Sequence, residues 1–174
     1  PGSPGATVRH RRAAANAAIS WNTAGTPPGA YTLSASAGPI AGETFTSDNT
    51  VRAPFVVRAA VYDVALTSLQ CASLVTPGAV APVTVVAQNL GDDPASFTVT
   101  LRNETAATMI GVHSIASLAS GASTNLSFSW NTAGLPIGFH TIAADASAVS
   151  GETDLLDNTN RLTVAIASGI STNT

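Results

Sequence analysis

The sequence has no lysine and little charge of either sign. All seven residues counted as Lys or Arg are arginines, charged residues make up 10% of the chain, and the formal net charge is −3. Such a balance provides no basic surface that would attract nucleic acid or an anionic membrane. We therefore expect no nucleic-acid partner.

Cysteine and long apolar runs are also scarce. The single cysteine, Cys71, cannot form a disulfide within the chain, so stability must come from packing. We interpret it as a small buried apolar side chain. Thr, Ser or Gly interrupts the apolar stretches every few residues, which predicts that the chain does not insert into a membrane.

An internal repeat organises the chain. Residues 20–50, which begin SWNTAG, recur without a gap as residues 129–159, and 17 of the 31 aligned positions are identical. The offset of 109 residues is close to the length of one immunoglobulin-type sandwich. We predict the C-terminal part of a truncated repeat over 1–58, a complete repeat over 59–167 and a flexible tail over 168–174. The chain is then expected to be cut from a tandem array.

Apolar residues alternate with polar ones in seven segments of the complete repeat, and turn sequences rich in Gly, Pro, Asp and Asn separate the segments. This pattern predicts an all-β fold, a seven-stranded immunoglobulin/fibronectin-III-like antiparallel β-sandwich in tandem with a truncated copy. In the truncated copy we predict the last three strands, over 18–21, 31–37 and 51–57. The predicted inward-facing residues of the seven strands are Val64, Leu66; Val83, Val85, Ala87; Phe97, Val99, Leu101; Ile110, Val112; Leu126, Phe128, Trp130; Ile142, Ala144, Ala146; Leu162, Val164 and Ile166.

Two motifs in the repeated segment carry a family resemblance. The order WNTxGxPxG from residue 130, then GETDxxDN from residue 151, resembles the cell-adhesion-related domain found in bacteria, the CARDB family. DVALT at 63–67 and PG at 77–78 fit the N-terminal half of that domain. The resemblance implies an immunoglobulin-like sandwich that occurs in tandem in large secreted or surface proteins of bacteria and archaea, and a role that is not catalytic.

A loop near the C-terminal end concentrates carboxylates. Glu152, Asp154 and Asp157, together with Asn158, offer oxygen atoms of the kind that bind calcium. The alternative is that these side chains accept hydrogen bonds from nearby backbone N–H groups and form turns.

The first copy favours the turn-forming interpretation. Glu43, Asp48 and Asn49 match three of the four residues, but Phe45 stands where the complete repeat has Asp154. An aromatic side chain cannot replace an oxygen ligand, and neither copy has the spacing of an EF-hand. We therefore expect no metal and no cofactor, with a calcium site as the alternative.

Other residues that could bind a ligand or take part in catalysis have structural interpretations. Trp130 and Trp21 end strands on the apolar face, which favours core positions over a sugar-stacking platform. Tyr31 replaces His140 in the first copy, and a position that accepts tyrosine is not expected to hold zinc. No Gly-x-Ser-x-Gly motif is present, and no base is recognisable beside the lone cysteine, so we predict no enzyme active site.

The sequence thus predicts a non-catalytic extracellular structural or adhesion repeat module of a large bacterial or archaeal surface or secreted protein. The alternative is an accessory module of a secreted hydrolase, either a spacer or a carbohydrate-binding unit. Expected partners are a protein or polysaccharide ligand and neighbouring repeats of the parent protein. Self-association through the uncovered face of the truncated copy is a further expectation.

Overall fold

The computed structural model describes residues 15–168, so residues 169–174 of the predicted tail lie outside the described part of the chain. The chain divides into two compact units, residues 1–59 and 60–174, and each is considered separately. In the described part there are no helices, and no helix long and apolar enough to cross a membrane.

Ten strands are present in residues 15–168. The first unit contains β1 (Gly29–Ser36) and β2 (Thr50–Val57). The second unit contains β3 (Val64–Gln70), β4 (Leu74–Val75), β5 (Val80–Asn89), β6 (Ala95–Asn103), β7 (Thr108–Leu118), β8 (Ser123–Asn131), β9 (Gly138–Ala146) and β10 (Thr159–Ile166).

The second unit is a β-sandwich. One sheet has five strands in the order β4-β10-β9-β6-β7, and the other has three in the order β3-β5-β8. All neighbouring strands are antiparallel except β4 and β10, which are parallel. The two inner faces form one hydrophobic core, and the predicted all-β immunoglobulin-like class is confirmed.

The alternation of side chains explains how the core forms. On β8, Leu126, Phe128 and Trp130 are buried while the residues between them are exposed. Such a period of two places every second side chain on the inner face of a sheet. Most predicted inward-facing positions are therefore buried, and each large one contributes about 1.5–3 kcal/mol through removal of apolar surface from water.

Two details of the second unit differ from the prediction. An eighth strand, β4, is only two residues long, so it has no alternation that could reveal it; backbone N–H groups of Ala165 and Ala167 donate to Ser73 and Val75. The predicted inward position of Val112 is wrong, because its side chain is 49% exposed.

The bulge between β6 and β7 explains the exposure of Val112. Gly111 lies opposite Leu101 on the inner face, and Val112 lies opposite Thr100 on the outer face. A Cβ atom at Gly111 would be 3.0 Å from Cδ1 of Phe128, so the phenylalanine ring occupies the space that a side chain would need. Ile110 packs partly against the core at this irregularity.

The first unit is a hairpin over its described residues. β1 and β2 pair antiparallel from Gly29 opposite Val57 to Ser36 opposite Thr50. The predicted strand over 18–21 is wrong, since these residues are not in a strand. Its counterpart β8 pairs with β5, and residues 15–59 contain no equivalent of β5.

Local geometry is the same in the repeated segments of the two units. Asn22 Oδ1 accepts from Ala24 N at 2.9 Å, and Asn131 Oδ1 accepts from Ala133 N at 2.9 Å. The following glycines, Gly25 and Gly134, both have φ of 77°, a left-handed conformation that glycine adopts at little cost. The motif WNTAG therefore encodes the same turn in both places.

Candidate functional site

The carboxylate-rich loop between β9 and β10 is attached to the start of β3 by Glu152. Its Oε1 accepts from the backbone N–H of Val64 and its Oε2 from that of Val149, both at 2.8 Å. Charged acceptors make stronger hydrogen bonds to backbone N–H groups than neutral ones do. Glu152 thus holds two segments together that are far apart in sequence.

Asp154 forms a local turn. Its Oδ1 accepts from the backbone N–H of Leu156 at 3.1 Å, the pattern of an aspartate that bonds its own chain two residues on. Glu152 and Asp154 therefore occupy the positions of turn-forming carboxylates.

Asp157 and Asn158 are arranged differently. Their backbone carbonyls accept from Leu66 N at 2.8 Å and from Ala146 N at 2.7 Å, which fixes the chain at the start of β10. Asp157 Oδ1 and both polar side-chain atoms of Asn158 are buried without a hydrogen-bond partner in the described part of the chain. Burial, followed by the negative charge of Asp154, raises the pKa of the Asp157 carboxyl above its usual value.

Asp63 joins this group, although sequence reasoning placed it only in the opening motif of the repeat. It directly precedes β3, and its buried Oδ1 lacks a partner among residues 15–168. Burial and then the charges of Asp157, Glu152 and Asp154 raise the pKa of the Asp63 carboxyl. No local pattern could identify it, because its neighbours in the cluster lie about 90 positions further along the chain.

In the first unit, the equivalent asparagine has a partner. Asn49 Nδ2 donates to Glu43 Oε2 at 3.1 Å, and Ile40 N donates to the same oxygen at 3.1 Å. The carboxylate loop of the first unit therefore closes on itself, and both of these bonds use residues within the loop.

The acidic side chains alone do not form a metal-binding site within residues 15–168. Within residues 15–168, no group of three or more His, Cys, Asp or Glu side chains is placed so that it could hold one metal ion. The mutual effects on the pKa values are consistent with this, since charges interact over distances longer than a metal–oxygen bond. Any ion here would require ligands besides the carboxylates.

His140 has a structural environment. Its side chain is 1% exposed, its Nε2 lies 2.9 Å from the carbonyl oxygen of Pro136, and its Nδ1 lies 3.1 Å from Asn103 Nδ2. Because a carbonyl oxygen only accepts, Nε2 donates and Nδ1 accepts from the asparagine amide. Both ring nitrogens are thus used. His113 contacts Ser127 O instead, so the two histidines are not brought together.

The two tryptophans differ in burial. Trp130 is 2% exposed, which confirms its predicted core position. Trp21 is 42% exposed and contacts the rings of Tyr31 and Phe55, at centroid distances of 6.1 and 5.1 Å. The prediction of a core position for Trp21 is wrong in this structure, because the strands that cover Trp130 have no counterpart in residues 15–59.

An ion-pair network lies on the outer face of the five-stranded sheet. Glu104 accepts from Arg102 at 2.9 Å and from Arg161 at 3.2 Å, and Arg102 also contacts Asp145 at 3.2 Å. The hydrogen bonds from Arg161 and then Arg102 lower the pKa of Glu104.

Cys71 is partly buried against the core. This burial raises the pKa of its thiol and so disfavours the reactive thiolate.

Comparison with known proteins agrees with the fold. No family model and no curated protein sequence matches the chain. Among solved structures, a CARDB domain from Pyrococcus furiosus, crystallised in complex with di-metal ions, has 18% identity and a TM-score of 0.54 over 63% of this chain and 96% of that domain. The solution structure of the same CARDB domain has 21% identity and a TM-score of 0.52 over 61% of this chain and 95% of that domain.

A domain of a Methanosarcina acetivorans protein assigned to the cell surface is also similar, with 25% identity and a TM-score of 0.51 over 63% of this chain and 95% of that one. The fold is therefore that of a CARDB domain, as the resemblance in the sequence predicted. The likeness extends over almost the whole length of these domains and over 61–63% of this chain.

Proposed function

We propose that this chain is a non-catalytic structural or adhesive module of an extracellular or cell-surface protein. The observation that carries the proposal is the match to at least 95% of the length of two domains, a CARDB domain with two solved structures and a domain of a protein assigned to the cell surface. A whole domain that recurs in this way is typical of a unit inserted into larger proteins.

The packed core supports a structural role. The largest buried side chains belong to both sheets and fill the space between them, and His140 and Asn103, two polar residues of that interior, bond each other. Close packing of this kind gives a rigid unit that keeps its shape while its surface contacts a ligand. A protein or polysaccharide ligand fits this role.

The hairpin of the first unit supports association with neighbouring repeats. Leu33 and Phe55 are 44% and 38% exposed, while the equivalent Ile142 and Val164 of the second unit are 0% exposed. In the second unit, the β3-β5-β8 sheet supplies the opposite side of that core. We infer that strands similar to those of the β3-β5-β8 sheet cover the hairpin. In a larger protein a neighbouring repeat supplies these strands, and in the isolated chain a second copy supplies them.

Display on a bacterial surface tests the function. The whole chain is inserted between an export signal with an epitope tag and a surface anchor, and cells are treated with protease. We expect the tag to reach the surface and residues 60–168 to resist digestion. The matched control carries Val83→Asp, which places a charge in the core and should make the unit sensitive to protease.

Purified chain is also assayed against glycosidic and ester substrates, and binding of chain-coated beads to polysaccharides and matrix proteins is measured. Binding without turnover supports the proposal. Turnover that the core variant Val83→Asp loses would overturn it, as would degradation of the exported wild-type module.

A further inference from the structure

Four buried polar atoms at one end of the sandwich indicate a ligand. Asp63 Oδ1, Asp157 Oδ1 and the Oδ1 and Nδ2 atoms of Asn158 have no hydrogen-bond partner in residues 15–168. Asn158 is only 5% exposed. Buried polar atoms are nearly always paired with protein, water or an ion, since an unpaired one is costly.

Two hydrogen bonds bring these atoms to the same region. Val64 N donates to Glu152 and Leu66 N donates to the Asp157 carbonyl, each at 2.8 Å. The loop before β10 is therefore attached to the first residues of β3, and Asp63 adjoins it. The raised pKa of the Asp63 carboxyl, to which the charge of Asp157 contributes, agrees with this proximity.

The first unit shows what the equivalent asparagine contacts. The backbones match, because Ala37 N donates to Asn49 O at 2.8 Å and Ala146 N donates to Asn158 O at 2.7 Å. At this position, Asn49 points at the loop glutamate and bonds it. Asn158 has the same place in its loop, but no hydrogen bond joins its amide to a carboxylate in residues 15–168.

The glutamate of the second unit makes no hydrogen bond to that amide. Both oxygens of Glu152 accept backbone N–H groups, one of them from Val64 in β3, a strand that the first unit lacks over its described residues. The addition of β3 thus does two things. The backbone N–H of Val64 in β3 donates to one oxygen of Glu152, and Asp63, which directly precedes β3, is brought to the cluster.

We propose that Asp63, Asp157 and Asn158 bind one divalent cation of the calcium class. Three of the four unpaired atoms are oxygens, two from carboxylates and one from an amide, and such a set suits a hard cation and not zinc. Glu152 and Asp154 remain turn-forming residues whose charges strengthen the attraction. The loop alone is not the site, because the aspartate before β3 completes it.

Such a site is weak. Three protein ligands leave several coordination positions to water, and calcium sites of extracellular modules have dissociation constants on the order of 10⁻⁴–10⁻³ M. The cation stabilises the folded state because the unfolded chain does not hold the ligands together.

Thermal melting of the full chain tests the proposal. About 10 mM calcium, compared with chelator, should raise the melting temperature of the second unit by about 5–10 °C. Asp63→Asn and Asp157→Asn should each lose at least half of this shift. The matched control, Asp48→Asn, removes the same charge at the equivalent position of the first unit and should keep it.

Terbium luminescence provides a second readout that does not depend on stability. The Tyr62 ring lies against the loop, since a Cβ atom at Gly151 would be 2.9 Å from its Cδ2. Bound terbium should therefore emit when tyrosine is excited, and calcium should displace it. The emission should decrease in Tyr62→Phe and in Asp63→Asn.

Three results would overturn the proposal. The first is a wild-type chain without a calcium-dependent shift, which would assign buried water to these atoms. The second is a shift that persists in both aspartate variants. The third is an equal shift with magnesium, which would exclude a site that prefers the larger cation.

Discussion

His140 and Tyr31 occupy equivalent positions 109 residues apart and donate to the carbonyl oxygens of equivalent prolines. His140 Nε2 lies 2.9 Å from Pro136 O, and the Tyr31 hydroxyl lies 2.7 Å from Pro27 O. Two different side chains therefore make the same contact to the turn before the strand. Both side chains place a planar ring with a donor near its tip at this position.

Replacement of His140 tests this conclusion. His140→Phe should lower the free energy of unfolding by about 1–3 kcal/mol, because it leaves Pro136 O and Asn103 without their partner. His140→Tyr should cost less, since tyrosine restores the bond to the proline carbonyl. Urea denaturation followed by circular dichroism measures both. Equal losses for the two variants would contradict the role of the donor.

The two tryptophans provide a matched pair for the core. Trp130→Ala should lower the free energy of unfolding of the main transition by about 3–5 kcal/mol, because it leaves a cavity among fully packed side chains. Trp21→Ala should leave that transition almost unchanged, as expected for a side chain that is 42% exposed. Calorimetry of the full chain measures both. A large loss from Trp21→Ala would show that the first unit forms part of the same cooperative core.

The lowered pKa of Glu104 predicts a small dependence of the folding stability on pH. Its pKa is lower in the folded chain because Arg161 and Arg102 donate to it, so its contribution is present above the pKa of an unfolded glutamate, about 4.3. The contribution is lost as the pH falls through the folded pKa. Glu104→Gln should therefore melt slightly below the wild type at pH 7 and equally at strongly acidic pH. A difference that persists in acid would assign the effect to packing.

The uncovered hairpin predicts self-association of the full chain. Light scattering should show a mass that increases with concentration, because an apolar face and two unpaired strand edges are accessible. Leu33→Glu should suppress the increase. The control is Ile137→Glu, at a position 66% exposed in the second unit, and should not. A wild-type chain that stays monomeric to high micromolar concentration would refute this expectation.

The sequence predicted the strands of the second unit well where the alternation is regular, as in Leu126, Phe128 and Trp130 of β8. It failed where pairing with another strand decides the outcome. Val112 follows the alternation of its own strand but faces outward, because a bulge shifts the register opposite Leu101 and Arg102. Residues 18–21 repeat the pattern of β8 but form no strand without a partner.

The sequence by itself determined the all-β class, the repeat and the turns, because these depend on side-chain alternation and on glycine conformations that neighbouring residues encode. Only the tertiary structure decided which carboxylates belong together. Val64 and Glu152 are 88 positions apart, and their hydrogen bond places Asp63 beside a loop with which it shares no local pattern. Packing of the two sheets creates that neighbourhood, since burial and charge act between residues that are close in space wherever they lie along the chain.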